Sequence, residues 1–143
     1  MSAEDLAACV AVVRRTARCV DANALDDLCD CFAPDAVLVR PSGQRLEGRQ
    51  AIRDAYAQRD PHRLTVHVIA DTDGHAVSED EMNVFSRVLL FQGLRGETHG
   101  PVPPQSQAVG SFEDRLVRVA HKWQIVQRVA CFQFLWTPPQ TPA

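Results

Sequence analysis

The first two dozen residues carry a helical stripe. Leu6, Val10, Val13, Ala17, Val20 and Ala24 recur at gaps of 4, 3, 4, 3 and 4. That spacing places apolar side chains on one face of a long amphipathic helix. Ser2 and Asp5 supply a capping box, with Glu4 also in the first turn. A short second helix follows, with Leu25, Leu28 and Phe32 at i, i+3 and i+7 and Pro34 closing it. Asp35–Val39 then reads as a strand, Pro41-Ser-Gly43 as a turn, and Leu46-Glu-Gly48 as a brief return strand. Arg49 to Arg59 predicts a third helix with Ile52, Ala55 and Tyr56 on its apolar face. Asp60-Pro61 ends it, because the residue before proline is biased away from helical geometry.

Beyond Pro61 the period changes from helical to alternating. In His62–Ile69, Leu64, Val66 and Val68 fall on one face and Thr65, His67 and Ile69 on the other. This strand is expected to reach Asp71, with Asp71-Thr-Asp-Gly74 as a turn. Glu81 to Leu94 is the longest apolar strand. Its section Val88–Phe91 is apolar at every position and predicts cover on both faces. Arg95 to Gln107 holds three prolines and two glycines and reads as an exposed loop. Val109–Val119 and Lys122–Leu135 are two more strands, joined by a tight turn at Ala120-His121. Residues 1–136 are expected to form a single domain and the Pro-rich tail 137–143 to be disordered or draped over a neighbour. Helices first and strands afterwards give α+β: helices packed on one face of a strongly bent, mostly antiparallel sheet. The hollow between a curled sheet and its helix is the usual place for a ligand.

Composition narrows the function classes. A chain of 143 residues buries roughly 68% of its unfolded surface, enough for one core without staples. The 45% apolar and 23% charged content is ordinary for a soluble globule, and net charge is −3 with the signs mixed. No lysine or arginine block points to nucleic acid or an anionic membrane, and no apolar run reaches the length of a span. Five cysteines, an odd number, together with a start that lacks a basic and an apolar leader region, fit a reduced cytoplasmic setting. Cys29-x-Cys31 lacks the second half of a zinc site. No metal or cofactor is expected.

The candidate chemistry centres on His67. A histidine on an apolar strand must find a hydrogen-bond partner. On the helical wheel Asp21 falls about 60° from the stripe centre, at the edge of the apolar arc. It is a candidate partner, with Arg14 on the same flank as a competing ion pair for it. Arg128 alternates with Val126, Ala130 and Phe132. It is expected either to face the pocket as an electrophilic stabiliser or to pair with Asp21 or Glu113. Leu38, Tyr56, Phe85, Phe132 and Trp136 are candidate apolar walls. His62, His75, His99 and His121 lie in turn or loop contexts. Cys131 could approach the pocket, with nothing nearby in sequence to activate it.

Three blocks carry a resemblance. Leu28-x-x-x-Phe32-Ala-Pro-Asp-Ala36, Leu46-Glu-Gly-Arg-Gln-Ala-Ile52 and Trp123-Gln-Ile-Val-Gln-Arg128 resemble the SnoaL-like branch of the nuclear transport factor 2-like superfamily. That resemblance implies a cone of three helices and a bent mixed sheet. Leu64-Thr-Val-His67-Val-Ile and Val77-Ser-Glu-Asp-Glu81 look like the corresponding strands of scytalone dehydratases. There, a histidine at the place of His67 pairs with a helical aspartate at the place of Asp21. Arg128-Val-Ala-Cys131 is similar to a motif of the related hexachlorocyclohexane dehydrochlorinases, which use a similar dyad. Val20 stands where the dehydratases have a tyrosine. Gln92 stands at or near their second histidine, and Tyr56 matches a second tyrosine only loosely.

The resemblance implies a cofactor-free lyase or isomerase acting on a small hydrophobic cyclic substrate other than scytalone. His67 would be the base, Asp21 its orienter and Arg128 the stabiliser. Val20 and Gln92 would also line the substrate site. Two alternatives stand beside it. One is a non-catalytic assembly domain like the β subunits of aromatic-ring dioxygenases, partnered by a larger iron–sulfur subunit. The other is a SnoaL-like polyketide cyclase. Apolar residues such as Val117 and Val119 on the open outer face of the sheet predict a homodimer or homotrimer.

Overall fold

A computed structural model describes residues 2–138. Three helices, α1 (Ala3–Ala22), α2 (Leu25–Asp30) and α3 (Arg49–Ala57), pack against one six-stranded sheet. Its strands are β1 (Phe32–Val39), β2 (Arg45–Glu47), β3 (Arg63–Ser78), β4 (Glu81–Leu94), β5 (Ser106–Val119) and β6 (Lys122–Trp136). The sheet order is β2-β1-β6-β5-β4-β3. Only β1 and β6 run parallel. The sheet is open and mixed, as an α+β cone requires, and β3 is one of its two edges.

Helix α1 starts at a reciprocal cap: the Ser2 hydroxyl accepts from the Asp5 backbone N–H, and the Asp5 side chain accepts from the Ser2 backbone. Its inward face is Cys9, Val13, Thr16 and Ala17, all buried. Cys9 and Val13 pack with Leu28, Phe32, Met82, Leu116 and Ile125 into the core. A side chain buried as fully as Val13 contributes about 1.5–3 kcal/mol relative to exposure. Cys9, Cys19, Cys29 and Cys31 are buried and free, acting as small apolar residues, whereas Cys131 is exposed. Burial pushes the Cys9 thiol up to about 12 and the Cys31 thiol up to about 11. Among the described residues no cluster of three or more metal-binding side chains exists, and no helix is long and apolar enough to cross a membrane.

Several boundaries differ from those read in the sequence. Phe32 and Pro34 do not extend and close α2. They begin β1, and the β1–β6 register shifts between Phe32 and Val37. Proline is tolerated in a strand at such an irregularity. Asp71-Thr-Asp-Gly74 is no turn, because β3 continues to Ser78. The ladder with β4 instead slips between Ile69 and Asp71, where the strand bends. Strand β5 begins at Ser106, so the preceding loop is shorter than expected. Val88–Phe91 is not covered on both faces, since Phe91 is 38% exposed. The β5–β6 turn does fall at Ala120-His121, with φ of 52° and 65° at two non-glycine residues. From residue 139 onward the Pro-rich tail lies outside the described residues.

The N-terminal end of α1 is tied to the far end of the sheet. Arg118 donates to Asp5 at 2.7 Å and to Asp80 at 3.0 Å. The Ser2 hydroxyl first, and then the Ser2 backbone and Arg118, hold the Asp5 carboxyl below its ordinary value of 3.8 against desolvation. A carboxyl lowered on folding contributes stability that is present above its unfolded value and lost as pH falls through the folded value. The Asp5→Asn variant is therefore expected to be less stable than the parent at pH 6. In urea unfolding series the gap should close as pH drops well below 3.8; a gap that persists or widens in acid would contradict this.

Candidate active site

Two elements of different kinds bring the central groups together. Helix α1 ends one turn after its last core residue, at Asn23, in the left-handed region with φ 54°. This leaves Asp21 at the helix rim, facing the free edge of β3. Being an edge strand, β3 has backbone N–H groups that no further strand satisfies. The Asp21 carboxylate fills that need: Oδ2 accepts from the His67 backbone N–H at 2.8 Å. Oδ1 accepts from the Thr65 hydroxyl at 3.0 Å and lies 2.6 Å from His67 Nδ1. A carboxylate only accepts, so Nδ1 carries the hydrogen, and in the neutral imidazole Nε2 is the atom with the lone pair. The His67 side chain is 14% exposed and lines the cavity described next. Nε2 makes no hydrogen bond among the described residues.

The cavity has a volume of about 510 Å³ and lies between α1, α3 and the inner face of the sheet. Its size suits a small organic molecule. Val20, Leu38, Tyr56, Gln92 and Phe132 line it, as expected of them from sequence. Phe85 and Trp136 do not. Phe85 points out of the opposite face of β4, where the Arg87 guanidinium lies 5.3 Å from its ring centre. Trp136, at the end of β6, is 53% exposed. Phe112, unnoticed in the sequence, stands 6.5 Å from the His67 ring, centre to centre.

Arg128 lines the cavity, as one expectation had it, but its ion-pair partner is neither of those expected. Its Nε and Nη2 donate to the two carboxylate oxygens of Asp114 at 2.6 and 2.9 Å, and Nη1 donates to the Thr16 hydroxyl at 3.0 Å. The Thr16 hydroxyl in turn donates to the Val13 carbonyl at 2.6 Å. Neither Asp21 nor Glu113 is its partner. The guanidinium stacks 4.0 Å from the Phe112 ring centre and Arg128 is buried. Burial pushes the Asp114 carboxyl up, opposed by the attraction of Arg128. Arg128 reaches the cavity as part of its floor, with its charge already answered and all three nitrogens engaged. This makes it a poor free electrophile. Arg14, the competing partner for Asp21, is exposed and outside the cluster.

Two of the residues missed had a usable signal. Thr65 lies two positions before His67 on the same strand face, where a hydroxyl can reach whatever His67 reaches. Asp114 lies between Phe112 and Leu116 on the inward parity of β5, so a carboxylate there needs a buried cation. Glu113 has the parity of Val117 and Val119, which face outward.

The profile of the SnoaL-like domain matches residues 1–129 of the chain. The chain belongs to the SnoaL-like domain family, within the nuclear transport factor 2-like superfamily. No match is found among curated proteins. Solved structures of similar shape include a scytalone dehydratase-like protein from Novosphingobium aromaticivorans, with TM-score 0.79 and 20% identity over 97% of this chain and 91% of that one. A type 2 form of the hexachlorocyclohexane dehydrochlorinase LinA has TM-score 0.82 and 15% identity, over 96% and 91% of the two chains. ActVI-ORFA from Streptomyces coelicolor has TM-score 0.74 and 16% identity, over 90% and 96%. At these identities the likeness is one of fold.

Proposed function

We propose that this SnoaL-like protein is a cofactor-free lyase or isomerase acting on a small, hydrophobic, cyclic substrate. The observation that carries the reading is the 2.6 Å contact between His67 Nδ1 and Asp21 Oδ1, with His67 lining a cavity of ligand size. In the elimination, Nε2 takes a proton from carbon. The C–H electron pair becomes the new double bond, and the leaving group departs from the neighbouring carbon with its own bonding pair. Asp21 then faces an imidazolium, which its charge stabilises. Val20, Leu38, Leu90, Phe112 and Phe132 hold the apolar body. The Tyr56 hydroxyl, which makes no hydrogen bond to another described residue, is the neutral donor available to a carbonyl or leaving oxygen.

The same base serves an aldol-type ring closure, so the coarser class is lyase or cyclase. The fold shared with LinA, with the scytalone dehydratase-like protein and with ActVI-ORFA supports that class. Val66, Val119 and Phe134 leave apolar surface exposed on the chain alone. A homodimer or homotrimer that covers it is part of this reading.

The test is a screen of cyclic β-hydroxy ketones and halogenated cyclohexanes for loss of water or halide, followed by His67→Ala on any substrate found. Turnover should disappear while the circular dichroism spectrum stays unchanged. If turnover survives, the assignment is wrong. A variant that binds the same ligands but loses only thermal stability would favour a non-catalytic assembly domain, of the kind that partners a dioxygenase large subunit.

A further inference from the structure

The mouth of the cavity differs from its interior. Arg40, Arg59 and Arg63 line it, and Asp60 is the one carboxylate among the lining residues. With the Asp21 carboxylate, which also acts on Arg59, three positive charges face two negative ones and still leave an excess at the entrance of a chain whose overall charge is −3. Among the described residues none of the three arginines forms a salt bridge. Arg40 donates to the amide oxygen of Gln44 at 3.3 Å. Arg59 donates to the Val20 carbonyl at 3.1 Å and to the Arg63 carbonyl at 3.0 Å. These neutral acceptors fix the guanidinium in place without cancelling its charge. Burial first, and the like charge of Arg63 next, make the protonated form of Arg59 harder to keep than that of an ordinary arginine. A half-buried cation held beside others at the rim of a cavity is the arrangement that recognises an anion, because planar guanidinium groups match carboxylate oxygens in pairs.

We propose that the substrate is an organic anion, whose carboxylate is received by Arg59, Arg63 and Arg40 at the mouth while its apolar part reaches Phe112 and His67. The proposal rests on the reading of this cavity as a substrate pocket and adds the chemical class. It divides the site in two. Positive charge at the entrance captures and orients one end of the molecule, and the interior around His67, where Arg128 is already paired with Asp114, receives the end that reacts. Steering by such a patch weakens as salt is added. The buried Arg128 takes no part, since Asp114 already neutralises it.

The experiment compares phenylacetate with its near-isosteric neutral amide, phenylacetamide, by calorimetry at pH 7 and low salt. Phenylacetate is expected to bind about tenfold more tightly, with the advantage shrinking in high salt. The advantage should fall to near parity in Arg59→Gln/Arg63→Gln and shrink in Arg40→Gln. Arg59 also ties the end of α1 to β3, so the Arg40→Gln variant, which loses an exposed hydrogen bond to Gln44 and a 5.9 Å contact with the Tyr56 ring, serves the comparison if the double variant misfolds. His67→Ala should retain the preference, which separates the two readings: surviving turnover in that variant sinks the catalytic assignment alone. Equal binding of acid and amide, an advantage untouched by every arginine variant, or no binding of either at millimolar concentration would overturn the anion site.

Discussion

Asp114→Ala is expected to cost about 3–5 kcal/mol of folding stability, the price of stranding a buried arginine. For a chain of this length that corresponds to a fall in Tm on the order of 10 °C. The Asp114 side chain is fully buried and that of Arg128 is 6% exposed, and of the two only Arg128 lines the cavity. Removing the carboxylate leaves Nε and Nη2 without acceptors. Only the Thr16 hydroxyl remains to Arg128, and it is already committed as a donor to Val13. Cavity water places the expectation toward the lower end of the range. Replacing both partners, as Asp114→Leu with Arg128→Met, should recover most of the loss, because Phe32 and Phe112 then pack against a neutral side chain. Urea unfolding of the two variants side by side decides it. A cost below about 1 kcal/mol for the single variant would show that the pair behaves as if it were at the surface.

The second large effect concerns the proton on His67. Asp21→Asn is expected to lower turnover of the substrate by about 10²–10⁴-fold while leaving the fold intact. Three donors converge on this side chain: the His67 backbone N–H, the Thr65 hydroxyl and the His67 ring. An amide has one oxygen to offer them. If that oxygen stays on the backbone N–H, the amide N–H₂ faces the imidazole. Nδ1 must then accept, which moves the ring proton to Nε2, the atom that has to be bare. The protein keeps its shape with the base in the wrong tautomer. Thr65→Val, which removes one donor without disturbing that choice, should cost far less. Similar kcat values for Asp21→Asn and Thr65→Val would mean that Asp21 does not set the tautomer.

Much of this was legible in the sequence, where a single periodicity governs a single element. The stripe of α1 placed Asp21 at its rim, and the alternation of β3 put Thr65 and His67 on one face. The outward parity of Phe85 was equally readable from Met82, Val84 and Val88; the aromatic ring obscured it. The misreading of Arg128 has a physical cause in irregular pairing. The ladder slips near Ala70 and again near Val126, where two residues of one strand face one of the other. Each slip resets which residues face inward. Counting from Val126 therefore said little about Arg128, and its partner in β5 was sought one residue away from where it is. The guanidinium groups at the cavity mouth come from the end of β1, the end of α3 and the start of β3. No local pattern announces that three such segments converge.

The carboxylate of Asp21 grips both the backbone N–H and the ring of one residue, and this has a consequence for how the chain assembles. Sliding β3 by one position would present Val66 or Val68 to the helix and turn His67 to the other face. Neither valine can offer a ring donor, so only one alignment of the edge strand closes the contact. The dyad thus works as a key for strand alignment. A chain with β3 out of alignment would leave the Asp21 carboxylate without its ring partner, so the contact reports that the edge strand has seated correctly.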